Sequence, residues 1–186
     1  MLEMVCDLGI GEGVAETDNK VFVVSYESSD IEVYDAQMLV LLLVINVKGL
    51  EKPHDIVACR DEHELYIAGS GGIWRLSKWY QSEKWLTEPT AREFMITAMA
   101  LKSRRLLVTT PRSLHQYRTP NRELIRVVKC PEYLEWITHG IETTRGTFVV
   151  GHQCKSLNED VYAVSMNRFL LPCVQFSTVN RHTILH

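Results

Sequence analysis

A beat of just over forty residues constrains this chain more than any other feature of its sequence. Four short strand-like runs share a shape: Val21–Ser25, Leu65–Gly69, Leu106–Thr110 and Thr147–Gly151. Their second positions, 22, 66, 107 and 148, lie 44, 41 and 41 residues apart. Each run is followed by a polar or Gly-bearing turn and then an alternating strand: Ile31–Tyr34, Ile73–Leu76, Leu114–Tyr117 and Val161–Val164. Their first positions, 31, 73, 114 and 161, differ by 42, 41 and 47. The longer last interval contains a polar insertion, Cys154–Asp160. Two independent anchors thus repeat with nearly one period, which marks a repeat architecture.

Further apolar runs flank these pairs. Upstream lie Asp55–Cys59, Ile96–Leu101 and Ile137–Ile141; downstream lie Met38–Val47, Glu83–Leu86, Glu123–Val128 and, less clearly, Arg168–Leu171. Each unit then holds about four strands in about 41 residues, the pattern of a β-propeller blade. The spacing predicts an all-β chain: a β-propeller segment of about four four-stranded antiparallel blades, an incomplete ring. Its approximate units are 6–48, 49–90, 91–131 and 132–176 of a single β-propeller-like domain. Fully apolar runs fit inner strands covered on both faces, and alternating runs such as Leu114–Tyr117 fit outer, half-solvated strands. Helical signals are nearly absent, and only Thr90–Met95 could hold one helical turn. A β-sandwich of many short strands competes, but it demands no equal spacing of matched strand pairs.

The segment Lys52-Pro-His-Asp-Ile-Val-Ala-Cys59, with Glu64–Gly69 and Ile73–Leu76, resembles an NHL repeat. Gly69 stands where that family usually has Asp. Thr138–His152 is similar to a divergent repeat of the type found in many animal proteins. The resemblance spans most of residues 15–171 and bears on fold more than on function. It implies a six-bladed, TolB-like propeller. Some members are modules of tripartite-motif ubiquitin ligases that bind protein or RNA, and related six-bladed propellers include lactonases and amidating lyases with a metal in the channel.

Length then sets a limit. The 186 residues hold about four and a half units, so an arc is expected, either a truncated gene product or part of a larger propeller. An arc leaves two apolar sheet faces and the sheet edges in water.

The net charge of -3, from 20 Lys+Arg against 23 Asp+Glu, argues against a dedicated nucleic-acid binder. The 46% apolar content excludes a disordered chain. Five cysteines without a CxxC pair, and no N-x-[ST] acceptor, fit reduced thiols in a cytoplasmic protein. Glu3 and Asp7 oppose a secretory signal. The most apolar stretch, Met38–Val47, has 10 residues where a membrane helix needs about 20, so it reads as a buried strand with no membrane partner.

Candidate chemistry is sparse. Gly9–Gly13 is similar to a phosphate-binding loop but lacks the full GxGxxG spacing and a βαβ context, so it reads as a turn into the first blade. His152 and Cys154 form an H-x-C pair without the further ligands that zinc requires. No catalytic set, metal site or cofactor is expected. Residues leading into the innermost strands ring one channel mouth, and His54, Asp55, Arg92, Trp136 and His139 are the binding candidates there, with Glu93 beside them. The competing reading gives His54 and Asp55 hydrogen bonds within the blade and packs Trp136 between blades. Trp74, Trp79 and Trp85 could form an aromatic docking patch, although core packing is the commoner use of Trp. Arg104, Arg105, Arg112, Arg118, Arg122, Arg126 and Lys129 make the third unit basic, which a solvated face explains best.

The expected function is a non-enzymatic protein-interaction scaffold, which binds a protein partner or self-associates through open blade faces. The alternatives are a channel-metal hydrolase or lyase, for which only Asp55, His139 and Glu142 are plausible, and an RNA-binding or ubiquitin-ligase recognition propeller. Several hundred Å² of exposed apolar face forgoes on the order of 10 kcal/mol at about 25 cal/mol per Å². The isolated chain should therefore self-associate, take up a partner or melt early. A monodisperse monomer with a high melting temperature, by size-exclusion chromatography and calorimetry, would count against the arc.

Overall fold

A computed structural model of the chain describes residues 11–59, 62–87, 95–96, 104–110, 112–129, 137–143, 148–153, 159–164 and 175–176. These residues form sixteen strands in four antiparallel sheets, and no helix occurs among them. Accordingly, none of the described residues belongs to a helix long and apolar enough to cross a membrane. Sheet 1 holds β1 (Gly11–Thr17), β2 (Lys20–Ser25), β3 (Asp30–Asp35) and β4 (Leu41–Asn46), in that spatial order. Sheet 2 holds β5 (Asp55–Cys59), β6 (Glu64–Gly69), β7 (Gly72–Leu76) and β8 (Ser82–Thr87). Sheet 3 holds β9 (Met95–Ile96), β10 (Arg105–Thr110), β11 (Ser113–Arg118) and β12 (Glu123–Lys129). Sheet 4 holds β13 (Ile137–Glu142), β14 (Phe148–Gln153), β15 (Glu159–Val164) and β16 (Gln175–Phe176). All four are simple meanders in chain order.

Short turns enforce the meander. Asp18 and Asn19 both take positive φ, 52° and 58°, between β1 and β2. That is the two-residue turn whose twist matches a hairpin, at residues whose short polar side chains tolerate it.

Register decides what each sheet buries. In sheet 1, Ala15, Phe22, Val33 and Leu43 form one cross-strand row, and Gly13, Val24, Ile31 and Ile45 form the next. Both rows face sheet 2, where they meet Ile56, Leu65, Ile67, Trp74 and Leu76. The opposite face of sheet 2 presents Tyr66, Ala68, Ile73 and Trp85 to Leu106, Val108 and Tyr117 of sheet 3. Leu107, Leu114 and Val128 on the far side of sheet 3 meet Phe148 and Val150 of sheet 4. Sheets 2 and 3 are thus apolar on both faces, which is why β6 and β10 read as continuous apolar runs. The innermost strands touch their neighbours, β1 against β5, β5 against β9 and β9 against β13, and β10 also meets β13. A Cβ on Gly13 would lie 2.9 Å from both Asp55 Cα and Ile56 N, so glycine lets these two backbones converge.

Several expectations change. Leu114–Tyr117 lies in β11, one strand in from the edge, with Leu114, Gln116 and Tyr117 all buried. The outermost strands are instead β4, β8, β12 and β16. Gly11–Gly13 begins β1, with a register shift, and is not a turn. Met38–Val47 is not a buried strand: β4 is outermost, and Leu41, Leu42 and Val44 are exposed. Glu159 and Asp160 pair with Gln153 and His152, so they belong to a strand and not to the insertion. The partner of β15 is Gln175–Phe176. Arg168–Leu171 and Thr90–Phe94 lie outside the described residues.

The tryptophans separate. Trp74 packs into the seam between sheets 1 and 2, Trp85 into the seam between sheets 2 and 3, and Trp79 is 73% exposed in the β7–β8 turn. Trp85 stands edge-on to Tyr66 and Tyr117, with ring centroids at 5.2 and 5.8 Å, and donates Nε1–H to the Thr119 carbonyl at 3.3 Å. Trp85→Ala should cost about 3–5 kcal/mol of folding stability, whereas Trp79→Ala should stay within about 0.5 kcal/mol. Equal losses for both variants in urea titrations would contradict this seam packing.

Candidate functional site

Meandering sheets have two ends. At one end lie the β1–β2, β5–β6 and β9–β10 turns, together with the turns that lead into the outermost strands. At the other lie the β2–β3, β6–β7 and β10–β11 turns and the connections between sheets. The first end is stitched by charge. His63 Nδ1 of the β5–β6 turn lies 2.7 Å from Asp18 Oδ1 of the β1–β2 turn. The carboxylate of Glu62, beside it, accepts from Arg104 Nε at 3.2 Å and from Thr119 Oγ1 at 3.2 Å, both in sheet 3. Successive first turns therefore clasp one another across the first two seams. The seam between sheets 3 and 4 has its own clasp, where Glu142 accepts from Gln116 Nε2 at 2.6 Å and from Arg126 Nη2 at 2.5 Å. Arg126 also lies over the Phe148 ring, 4.6 Å from its centroid.

These clasps absorb much of the basic third unit. Arg104 pairs with Glu62, Arg118 with Glu123, Arg122 with Glu83 and Arg126 with Glu142. Paired guanidiniums make a poor phosphate track, so the solvated-face reading describes these side chains better.

The other end carries His54 and Asp55, two of the residues expected at a channel mouth. The β4–β5 connection crosses it and is held to sheet 2, with Ser70 N donating to Glu51 O at 2.7 Å and His54 N donating to Ala68 O at 2.9 Å. A Cβ on Gly69 would lie 2.8 Å from both Glu51 O and Leu50 Cδ1. Gly69 thus makes room for the connection that an aspartate there would obstruct. Asp55 Oδ1 accepts from Ile56 N at 2.9 Å, fixing the start of β5. The His54 ring lies 6.1 Å from the ring of Tyr26, and Lys52 Nζ sits 5.5 Å from the Tyr26 centroid. Tyr26 and Lys52, which sequence reasoning missed, therefore join His54 in a cation–aromatic group. Their only signal was position, in a β2–β3 turn and in a sheet-to-sheet connection. His139 pairs with Gly151 in β13 and β14, on sheet 4. Arg92, Glu93, Trp136 and Cys154 lie outside the described residues.

Acid–base chemistry at the seams is suppressed. Burial pushes the Cys59 thiol up to about 12, with the Glu62 carboxylate adding to the rise, and Sγ donates to Glu62 Oε2 at 3.5 Å. Burial likewise raises the Tyr66 phenol, whose hydroxyl donates to Glu64 Oε2 at 2.9 Å. A thiol this protonated is a weak nucleophile. Among the described residues no three His, Cys, Asp or Glu side chains gather as a metal site.

With this geometry in view, comparison with known proteins is informative about fold. No family model matches the chain, and neither does any curated protein. Among solved structures, a streptogramin B lyase aligns with a TM-score of 0.66 at 12% identity, covering 90% of this chain and 54% of its own. A virginiamycin B lyase from Staphylococcus aureus aligns with a TM-score of 0.66 at 12% identity, covering 92% and 56%. A nidogen/laminin complex contributes a third, with a TM-score of 0.66 at 10% identity, covering 84% and 61%. The chain is a β-propeller arc, and its ring is not closed. It spans about half to three-fifths of the length of these structures. At such identities the likeness extends to fold alone.

The raised pKa values of Cys59 and Tyr66 carry a pH consequence. The folded thiol keeps its proton where the unfolded chain, with an ordinary thiol pKa of 9.0, releases one. Stability is then complete below that value and falls as pH rises toward about 12, with Tyr66 acting in the same direction. Urea titrations from about pH 8 to about pH 10.5 should show this decline, and Cys59→Ala should flatten its lower part. A stability that is flat with pH, or unaltered by the substitution, would contradict the burial of the thiol.

Proposed function

We propose that this chain is a non-enzymatic protein-interaction scaffold built from NHL-like propeller blades, with residues 6–48, 49–90, 91–131 and 132–176 as its units. The observation that carries the reading is the cation–aromatic group at the mouth, which joins residues of two sheets beside the β4–β5 connection, whereas the exposed Lys78–Trp79 pair at the clasped end lies within one turn. At the clasped end, cations and carboxylates neutralise one another across the seams. At the mouth, the exposed Tyr26 and Lys52 lie beside His54, a rigid aromatic and a cation of the kind that anchor protein contacts. We take His54, Asp55, Arg92, Trp136 and His139 as the rest of that mouth.

Structures with a similar fold fit this use, being those of a nidogen/laminin complex and a mitotic checkpoint complex. The lyases of similar fold favour a second reading, a channel-metal enzyme. That reading requires one tightly held metal ion per chain.

Two measurements separate the readings. Cross-linking and affinity capture should recover a protein partner that Tyr26→Ala combined with Lys52→Glu loses at least tenfold, while Trp79→Ala, at the opposite end, retains it. Equal recovery with both variants would refute the mouth as the binding surface. A stoichiometric calcium or zinc content in the purified chain would move the conclusion to the enzyme.

A further inference from the structure

The outermost strand of sheet 1 differs from its counterparts in a way that the binding reading does not use. From Met38 through Val47 the chain carries no charged residue, no proline and no glycine. Outermost strands expose an unpaired row of backbone N–H and C=O groups, and proteins normally guard them with charge. Two of the others are guarded so: β8 carries Glu83 and Lys84, and β12 carries Glu123, Arg126 and Lys129. β4 is Leu-Leu-Leu-Val-Ile-Asn. Leu43 and Ile45 turn inward to the seam with sheet 2. Leu41 and Val44 instead share a face with Tyr34 and Glu32 and stand 53% and 51% exposed. Leu42 occupies the register shift opposite Val33 and Tyr34 and is also exposed, as are Met38, Leu39 and Val40 in the approach to the strand.

We propose that β4 is a self-recognition edge, on which the β4 of a second copy of this chain pairs antiparallel about a twofold axis and continues the sheet. Three features of this strand select a second copy. A symmetric antiparallel pairing brings like residues together, so a charged strand would repel itself, and this one has nothing to repel. Its six exposed apolar side chains, with the neighbouring backbone, present on the order of 500 Å² per copy, of which edge pairing covers the part along β4, so the interface lies at the small end, below roughly 1,000 Å² in total. An isologous pairing also closes on itself and consumes the edge, where a heterologous one would continue into fibres. The inference stands on β4 alone. It survives if the mouth binds nothing, and it fails without consequence for the mouth.

The test uses the full 186-residue chain in sedimentation velocity over a micromolar concentration series. The wild-type chain should sediment at twice its 21.4 kDa mass, and Val44→Lys should bring it to that mass. Pairing of same-face residues centres the twofold near Leu43 or Val44, so position 44 lies within about two residues of its own copy. Val44→Glu alone should therefore also be monomeric, and an equimolar mixture of the Lys and Glu variants should restore the dimer. That rescue separates lost pairing from lost folding. Val127→Lys, at an exposed position of β12, should leave the dimer intact. A monomeric wild-type chain, open-ended aggregates, dimeric single variants or a mixture that stays monomeric would each overturn the proposal.

Discussion

Face-to-face stacking of neighbouring sheets is the interaction on which everything else in this chain depends. No single four-stranded meander of this size buries enough apolar surface to stand alone, since both its faces must be covered. Sheet 2 shows the consequence most directly. Successive residues of β6 serve opposite seams: Leu65 and Ile67 face sheet 1, and Tyr66 and Ala68 face sheet 3. Each buried large side chain contributes roughly 1.5–3 kcal/mol, but only while the neighbour is present. Stability is therefore cooperative along the arc, and the terminal sheets lack the second neighbour that sheets 2 and 3 have.

Apolar stacking alone does not fix how one sheet is rotated against the next. The clasps supply that. Glu62 reaches from sheet 2 to Arg104 and Thr119, and Glu142 reaches from sheet 4 to Gln116 and Arg126. Partly buried charge pairs add modestly to stability once desolvation is counted, but they are directional. Here they stand at the seams, where a slide of one sheet along another would leave a carboxylate unpartnered. The charged turns are thus best understood as setting the angle between sheets.

Much of the architecture was legible in the sequence, for a physical reason. Second and third strands of each sheet carry the register on which both seams depend, so Phe22, Tyr66 and Leu107, each facing the next sheet, fall 44 and 41 residues apart, while the fourth anchor, Phe148, follows 41 residues later but faces back to sheet 3. Fourth strands face water along one edge and are free to vary. Arg168–Leu171 looked like the last of them on apolar content, while Gln175–Phe176 is the pair that joins β15. Met38–Val47 misled for the converse reason: apolarity signals burial only where a neighbour exists to do the burying. The surroundings of the proposed mouth were less legible. His54 and Asp55 were singled out by their place before an inner strand, yet Tyr26 reaches His54 from another sheet, a contact that no local pattern in the sequence encodes.

The stacking also constrains what chemistry this fold can host. A propeller makes a catalytic centre by converging side chains from several inner strands on its axis. In this chain the convergence of β1 and β5 is occupied by the Gly13 backbone approach, and Asp55 is tied to the start of its own strand. Glu62, Glu64, Glu83 and Glu142 are held by cations or hydroxyls at the seams and the outer strands. Carboxylates so held stabilise the arrangement of sheets and are poorly placed to bind an ion or shuttle a proton. What the scaffold leaves available is the exposed part of the turns and connections at the opposite end, since Val47 and Leu50 of the β4–β5 connection are themselves buried in a seam. A fold of this kind acquires function by decorating that end, and the aromatic and cationic group around Tyr26 is the decoration that the described residues carry.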